Sequence, residues 1–470
     1  MMQSHSIDPH QENEDTIVAI ATPVGLAGIG IIRLSGPLCE KIVKKIFRPK
    51  KPVTDFKSFR LYLGHLIDPS SGNVVDEVLL SLMKAPHSYT KEDVVEINSH
   101  SGHLLLSKIL QIILDEDTRL AKPGEFTFRA FLNGRIDLTQ AEGIIDLINS
   151  RSERALQIAA QHVKGAFKEQ IELSRKRIIE LLASVEVAID FPEEEVEIIN
   201  RQHMIDILEH EIVPSIEQFI TDYTQRKIYM EGIRTVLAGR VNVGKSSLLN
   251  RLLNEQRAIV TPIPGTTRDV IQSTIHIEGI PIRLMDTAGL REASEEVERL
   301  GVRLTEQKLA EADLILVVLD RNRPLSQEDR DLINQCNKEN SIIILNKIDL
   351  IPLLDEKALE NEAKDFLIIG ISALTGEGIN ALKRAIRNRL IGTDTDRMSA
   401  LLAPNLRHKY ALIKASKYLK NAVITANGGL PLEIFAMDLN AALEALGEIT
   451  GETTSEDIFH QIFSEFCLGK

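Results

Sequence analysis

Short apolar runs separated by glycine and proline occupy the first part of the chain. They include TIVAIATP, GIGIIRLSG, LYLGHLID, VDEVLLSLMKAP and DVVEINSH, all before residue 101. Apolar runs of this length between turn-forming residues are typical of strands. The pattern predicts a strand-rich α+β domain over residues 1–134.

The apolar spacing changes to steps of three and four further along the chain, which is the spacing of one helix face. This pattern predicts one long amphipathic helix, ended by Pro192 in FPEEEVE, and a second helix that ends near Lys227. Residues 135–228 are therefore predicted to be the first part of a helical domain. The apolar positions of the long helix are Leu156, Val163, Phe167, Ile171, Ile178, Leu182, Val185 and Ile189.

From Ile233 onward, apolar strands alternate with helical stretches. The strands read IRTVLAG, IRLMD, LILVVLD, SIIILNK and LIIGIS, and this alternation predicts a doubly wound parallel sheet over residues 229–391. Helical spacing returns at 405–425 and 439–449, and a final apolar stripe consists of Phe459, Ile462, Phe463 and Phe466. We therefore predict a multidomain α/β and α+β protein in which the α/β domain is inserted into a helical domain completed by residues 392–470.

The amino-acid composition limits the kinds of partner that the protein can bind. The 470 residues suffice for two to four domains. The net charge of −13, the 4% aromatic content and the absence of tryptophan disfavour nonspecific nucleic-acid binding by the whole surface, so any RNA contact is local or shared with a partner. The three cysteines contain no C-x-x-C, and neither a signal peptide nor a membrane-length apolar run is visible. These features predict a cytoplasmic protein that does not enter a membrane.

The segment G-R-V-N-V-G-K-S (239–246) follows a strand and precedes a helix, which is the context of a phosphate-binding P-loop. Gly239 and Gly244 let backbone N–H groups surround the phosphates, Lys245 neutralises the β and γ oxygens, and the Ser246 hydroxyl is a ligand for Mg²⁺. D-T-A-G (286–289) follows another strand, so its aspartate is expected near Mg²⁺ and its glycine N–H near the γ-phosphate. The pattern predicts a nucleoside triphosphatase.

The base-recognition motif N-K-I-D (346–349) selects the nucleotide. The Asp349 carboxylate can accept from two guanine N–H donors, a pairing that adenine cannot make, so GTP is predicted over ATP. Ser372 and Ala373 complete the base pocket through their backbone. The predicted GTP-binding residues are Asn242, Val243, Gly244, Lys245, Ser246, Ser247, Thr261, Pro262, Ile263, Pro264, Gly265, Thr266, Thr267, Asp286, Thr287, Ala288, Gly289, Asn346, Lys347, Asp349, Ser372 and Ala373.

The residue after D-T-A-G is Leu290, where Ras-like enzymes carry the glutamine that orients the attacking water. Hydrolysis must therefore use another group. The following segment offers four acids, although acids in such segments more often face solvent. No residue can be recognised from the sequence as an arginine finger. A cation bound beside Asn242 could take the place of such an arginine. The four acids are Glu292, Glu295, Glu296 and Glu298.

Four blocks together resemble the tRNA modification GTPase MnmE (TrmE) family. They are DTIVAIATPVGLAGIGIIRLSG, KPGEFTFRAFLNGRIDLTQAEGIIDLI, GRVNVGKSSLLN with PGTTRD and DTAGLREASEEVERLG, and the terminal FCLGK. The resemblance implies an N-terminal domain that binds folate and dimerises, a discontinuous helical domain and an inserted GTPase domain. It also implies a homodimer that works with the FAD-containing partner MnmG (GidA), in a heterotetramer or larger complex.

The resemblance further implies a reaction. Carbon 5 of the wobble uridine of certain tRNAs would receive a carboxymethylaminomethyl-type modification in a reaction that uses a one-carbon unit carried by 5-formyltetrahydrofolate or a related tetrahydrofolate. The two GTPase domains of the dimer would meet when GTP and K⁺ bind. A rival interpretation is a switch GTPase that modifies nothing, which the P-loop motifs alone permit. The first and last blocks favour modification.

Residue roles follow from the resemblance position by position. Glu298 would orient water, and Cys467 is a second catalytic candidate, although it is also explained as a small apolar residue at a helix end. Without the resemblance, Arg33 and Glu96 would count as ordinary surface charges. The implied ligands are Ser246 and Thr267 for Mg²⁺; Asn242, Thr261, Ile263 and Thr266 for K⁺; and Arg33, Glu96, Arg135 and Lys470 for folate.

Overall fold

The structure is a computed structural model that describes residues 15–23, 25, 27–190, 201–254, 274–285, 309–392, 401–454, 456–466 and 469–470. The chain divides into two compact units, and both are discontinuous in sequence. The first unit comprises residues 1–148, 162–209 and 414–470, and the second comprises residues 149–161 and 210–413. Each unit has its own sheet, so the protein is multidomain. The domain boundaries drawn from the sequence remain predictions.

The first unit contains a seven-stranded sheet of order β3-β4-β5-β6-β2-β1-β7, antiparallel except for the β1–β7 pair. Helices α1 and α2 cover one face and bury Ile42, Val43, Leu106 and Ile109 against it. The elements are β1 (Thr16–Ile20), β2 (Gly30–Ser35), α1 (Cys39–Ile46), β3 (Phe47–Pro49), β4 (Arg60–Ile67), β5 (Val74–Met83), β6 (Val94–Ser99), α2 (His103–Leu114) and β7 (Thr118–Leu120).

Helices α3 to α8 follow the strands of the seven-stranded sheet in the sequence. The single long helix predicted from the apolar spacing is wrong, because the structure has two helices, α5 and α6, in its place. They are interrupted at Gly165, whose φ of +86° lies in the left-handed region that ends helices. The elements are α3 (Glu125–Leu132), α4 (Leu138–Asn149), α5 (Glu153–Val163), α6 (Ala166–Asp190), α7 (Arg201–Ile207), a π-helical turn (Leu208–Ile212) and α8 (Val213–Glu231).

The second unit contains a six-stranded sheet of order β13-β12-β11-β8-β10-β9, parallel except for the edge strand β9. Alternate residues of β11 enter two different apolar clusters: Leu316 packs on one face and Val317 on the other. The predicted doubly wound arrangement is therefore observed. The elements are β8 (Ile233–Ala238), α9 (Lys245–Asn254), β9 (Thr274–Ile277), β10 (Ile280–Leu284), β11 (Leu314–Asp320), α10 (Gln327–Gln335), β12 (Ser341–Asn346), α11 (Glu356–Glu362), β13 (Leu367–Ile371) and α12 (Ile379–Ile391).

Three helices end the chain: α13 (Leu406–Asn427), α14 (Leu432–Thr450) and α15 (Glu456–Ser464). The predicted aromatic stripe of α15 packs on α3, where the ring centroids of Phe128 and Phe463 lie 4.9 Å apart. Gly124, at the start of α3, has no room for a side chain because a Cβ would lie 2.4 Å from the Phe463 carbonyl oxygen. Among the described residues, no helix is both long and apolar enough to cross a membrane.

A buried ion network joins the start of β1 to α3. The Arg129 guanidinium, only 2% exposed, donates to the Asp15 carbonyl oxygen at 2.9 Å and to Glu92 Oε2 at 3.1 Å, and it contacts the carboxylates of Asp15 and Glu125. Arg119 pairs with the same Asp15 and Glu125 carboxylates. Burial alone would raise the pKa of Asp15, but the hydrogen bonds from both arginines outweigh it and hold that pKa below its usual value.

Removing Arg129 should destabilise the first unit strongly. Arg129→Met removes the arginine partner of Glu92 and leaves Arg119 as the one arginine beside the 4%-exposed carboxylate of Glu125, and losing one partner from a buried network costs about 3–5 kcal/mol. Urea titration with hydrogen exchange read at β1 and β2 measures this. The control, Arg177→Met, removes an exposed pair with Glu180 at 3.9 Å and should cost less than about 1 kcal/mol. Equal losses in the two variants would contradict the structural role of Arg129.

Candidate GTP-binding site and N-terminal pocket

The loop of residues 239–244 connects β8 to α9, as the P-loop motif predicts. Gly239 and Gly244 have φ angles of +141° and +101°. A Cβ at Gly239 would lie 2.3 Å from the Val318 carbonyl oxygen, and one at Gly244 would lie 2.1 Å from Asn346 Nδ2. Both positions therefore require glycine for conformation and for space.

Lys245 begins α9 and points its ammonium back into this loop. Its Nζ donates to the carbonyl oxygens of Gly239 at 2.6 Å and Arg240 at 2.8 Å. Burial lowers the pKa of Lys245. A phosphate beside Nζ would supply the negative charge that favours the ammonium form. Ser246 and Ser247 follow on the first turn of α9, where helix N–H groups attract anions.

Asn346 joins the phosphate loop to the base loop. It ends β12 and is 2% exposed. Its Nδ2 donates to the Val243 carbonyl oxygen at 2.8 Å, and its Oδ1 accepts from the Ala373 N–H at 3.0 Å. One side chain thus sets the distance between two loops that are 130 residues apart in sequence (373 − 243).

Lys347 adds a second connection to the phosphate loop. Its Nζ donates to the Asn242 carbonyl oxygen at 3.0 Å and to Asp320 Oδ2 at 2.6 Å. Asp320 is 5% exposed at the end of β11. Asn242 itself has an exposed side chain and a φ of +66°, which asparagine tolerates better than most residues.

Asp349 stands at the edge of this arrangement with an exposed carboxylate. The preceding Ile348 N–H donates to the Ile371 carbonyl oxygen at 3.1 Å, which fixes the turn beside Ser372. The fully buried Ser372 Oγ accepts from the Thr375 N–H at 3.0 Å. A rigid loop with a carboxylate at its rim has the chemistry to accept the two N–H donors of guanine.

The structure brings together Asn242, Val243, Gly244, Lys245, Ser246, Ser247, Asn346, Lys347, Asp349, Ser372 and Ala373. The other predicted residues of the GTP site, together with both catalytic candidates, lie outside the described residues, and their roles remain predictions. These are Thr261, Pro262, Ile263, Pro264, Gly265, Thr266, Thr267, Asp286, Thr287, Ala288, Gly289, Glu298 and Cys467.

The first unit gathers a separate set of charged residues around β2. Arg33 on β2 lies opposite Glu96 on β6, and its Nε donates to Glu96 Oε1 at 2.9 Å. A second guanidinium nitrogen of Arg33 donates to the Gly469 carbonyl oxygen at 3.1 Å. The Lys470 carbonyl oxygen accepts from the Phe126 N–H at 3.2 Å. Residues 33, 96 and 469–470, distant in sequence, are therefore neighbours, and we call them with Arg135 the N-terminal pocket.

Two aromatic residues complete the N-terminal pocket. The Cζ atoms of Arg135 and Arg33 lie 4.8 Å and 5.6 Å from the centroid of the Tyr89 ring, and the Arg33 Cζ lies 5.7 Å from that of Phe126. Sequence reasoning did not select either ring, because Tyr89 and Phe126 stand in no pattern of their own. Phe126 lies inside the KPGEFTFR block, and that position was the one signal that pointed to it.

The doubly wound sheet, the phosphate loop between β8 and α9, and the Asn346-linked base loop define a P-loop GTPase. Comparison with known proteins gives the family. The family model described as "GTP-binding protein TrmE N-terminus" matches residues 16–135, and the family model described as "MnmE helical domain" matches residues 138–467. The chain belongs to the MnmE family of tRNA modification GTPases.

Individual relatives match along nearly their whole length. The tRNA modification GTPase MnmE of Thermoanaerobacter pseudethanolicus is 47% identical over 97% of this chain and 99% of the relative. The proteins of the same name from Carboxydothermus hydrogenoformans and Geobacillus kaustophilus are each 44% identical, over 97% of this chain and 100% and 99% of the relatives. The family resemblance read from the sequence is confirmed.

Removing the Asn346 side chain should weaken the binding of GTP and GDP alike. Asn346→Ala leaves the buried Val243 oxygen and Ala373 N–H without their partner, a loss of about 1–3 kcal/mol that is equivalent to roughly fivefold to a hundredfold in Kd. Fluorescent-nucleotide titration measures it. Asn340→Ala is a matched control, because that amide donates to the Ala312 carbonyl oxygen at the opposite end of β12. An equal loss in the control would refute a specific role for Asn346.

Proposed function

We propose that this protein couples GTP hydrolysis to modification of carbon 5 of the wobble uridine of certain tRNAs. The modification is of the carboxymethylaminomethyl type and is made together with the FAD-containing partner MnmG. The observation that carries the proposal is the presence, in one chain, of a phosphate loop linked by Asn346 to a base loop and of a cluster of polar and aromatic side chains in the first unit. Relatives named tRNA modification GTPases that align over 97% of this chain support it.

The N-terminal pocket is the proposed site for 5-formyltetrahydrofolate or a related tetrahydrofolate. The cationic side chains of Arg33 and Arg135 and the carboxylate of Glu96 lie in this pocket, and Lys470 joins them through its backbone contact with Phe126. A carboxylate is a good acceptor for the N–H groups of a pterin ring, and guanidinium groups bind the carboxylates of a glutamate tail. The Tyr89 ring adds an apolar face of the kind that planar ligands use.

The cation sites belong to the same proposal. The hydroxyl of Ser246, in the first turn of α9, is the proposed ligand of Mg²⁺. Thr267 would be the second protein ligand. Asn242 presents an exposed amide within the phosphate loop, and an oxygen donor of this kind fits K⁺. The proposed K⁺ ligands are Asn242 and residues 261, 263 and 266, and Glu298 would orient the attacking water. The protein would be a cytoplasmic homodimer whose GTPase domains associate in the GTP state. Cys467 is the second catalytic candidate.

Loss of the protein should abolish the modified wobble uridine. Nucleoside mass spectrometry of tRNA from a deletion strain should lack carboxymethylaminomethyl-type uridines, and a plasmid copy of the gene should restore them. A plasmid carrying Lys245→Ala should fail to restore them, because the variant lacks the phosphate-binding ammonium. Unchanged wobble uridines in the deletion strain would favour a switch GTPase that modifies nothing.

Hydrolysis should depend on potassium. Leu290 replaces the water-orienting glutamine, no arginine finger is recognisable in the sequence, and Asn242 lies in the phosphate loop. We therefore expect kcat in K⁺ to exceed kcat in Na⁺ by at least about tenfold, equivalent to a barrier difference of about 1.4 kcal/mol. Asn242→Ala should remove most of this difference while GTP still binds. Steady-state phosphate release in matched chloride salts measures both. Equal turnover of the unmodified protein in the two salts would contradict the cation assignment.

A further inference from the structure

One side chain of the phosphate loop has no role in the sequence motif yet makes a well-defined ion pair. Arg240 is the second residue of the P-loop segment, and its Nε donates to Asp329 Oδ1 at 3.0 Å. A terminal nitrogen of the same guanidinium lies 3.0 Å from Asp329 Oδ2. The pairing is bidentate, a geometry that fixes direction as well as distance. The Arg240 side chain is 26% exposed and that of Asp329 only 4%.

Asp329 is held in place by its own helix. It lies in the first turn of α10, where its Oδ2 accepts from the Ser326 N–H at 3.0 Å and from the Ser326 hydroxyl at 2.8 Å. Ser326 Oγ accepts in turn from the Asp329 N–H, which makes a reciprocal capping box. The carboxylate is therefore oriented before Arg240 reaches it, and the pair anchors the loop to a fixed point.

The anchored residue bears directly on the phosphate-binding lysine. The Arg240 carbonyl oxygen accepts from Lys245 Nζ at 2.8 Å. Further along the loop, the carbonyl oxygens of Asn242 and Val243 are held by Lys347 and Asn346. The last two contacts come from the guanine motif, so they hold only the second half of the loop. The Arg240–Asp329 pair holds the first half.

We propose that the Arg240–Asp329 pair is a positioning element that preorganises the phosphate loop for the β-phosphate of GTP and GDP. A loop already shaped for its ligand loses less conformational freedom on binding, so affinity rises without a new contact to the nucleotide. The proposal rests on the GTP site alone and not on the tRNA reaction. Two of the guanidinium nitrogens of Arg240 are directed at Asp329.

Arg240→Gln and Asp329→Asn test the pair. In the second variant the amide oxygen can still cap Ser326, whereas the amide nitrogen no longer accepts from Arg240. We expect Kd for GTP and for GDP, and KM for GTP, to rise about tenfold in each variant, while kcat at saturating GTP stays within about twofold. The double variant should be no weaker than the weaker single one, because both remove the same interaction.

Arg330→Gln is the matched control. Arg330 is the next residue on α10 and pairs at the surface with Glu362 at 2.9 Å, so its loss should leave Kd unchanged. Unchanged nucleotide affinity with a lowered thermal unfolding midpoint in Arg240→Gln would overturn the proposal and leave a purely structural role. A fall in kcat at constant Kd would also overturn it. The unsubstituted protein in the same titration tests whether the GTP site exists. A loss of nucleotide affinity in the variants alone therefore tests the Arg240–Asp329 pair separately from the proposed function.

Discussion

The Asn346 side chain makes the contacts on which the proposed nucleotide site depends. Its amide donates to the phosphate loop through Val243 and accepts from the base loop through Ala373. Both loops begin where parallel strands of one sheet end, and such strand ends are where doubly wound folds place their ligands. The sheet brings the loops near each other, but the 2%-exposed amide fixes their separation. The proposed GTP site needs that separation, because one loop would contact the phosphates and the other would contact the base.

The N-terminal pocket is built by a different principle. Arg33 and Glu96 meet because β2 and β6 are neighbours in register, and the end of the chain is added by backbone contacts rather than by a motif. The α15 stripe packs on α3, and Gly124 has no room for a side chain beside the Phe463 carbonyl oxygen. Residues 469–470 lie beside Arg33 and Phe126. Both the sheet and α3 therefore contribute residues to the pocket.

The sequence predicted the parts of the protein that follow a local rule. Strand–helix alternation after Ile233 predicted the doubly wound sheet, and the glycine spacing of the P-loop predicted a turn that the φ angles of Gly239 and Gly244 bear out. The break between α5 and α6 at Gly165 was not predicted, because the apolar spacing continues across it. A single residue in the left-handed conformation does not change the periodicity of apolar residues. Tyr89 and Asp329 escaped because their importance comes from a partner distant in sequence.

The selectivity for guanine tests most directly whether the loops joined by Asn346 form a GTP-binding site. The exposed Asp349 carboxylate is the group that would accept the two N–H donors of guanine. Asp349→Asn should weaken GTP binding by roughly tenfold to a hundredfold, since a charge-assisted pair is lost. The same variant should gain affinity for xanthosine triphosphate, whose C2 carbonyl accepts from the new amide. Competition titration of the two nucleotides decides the matter: reversal of the preference is the expected result, and an unchanged preference for GTP would contradict the assignment of this site.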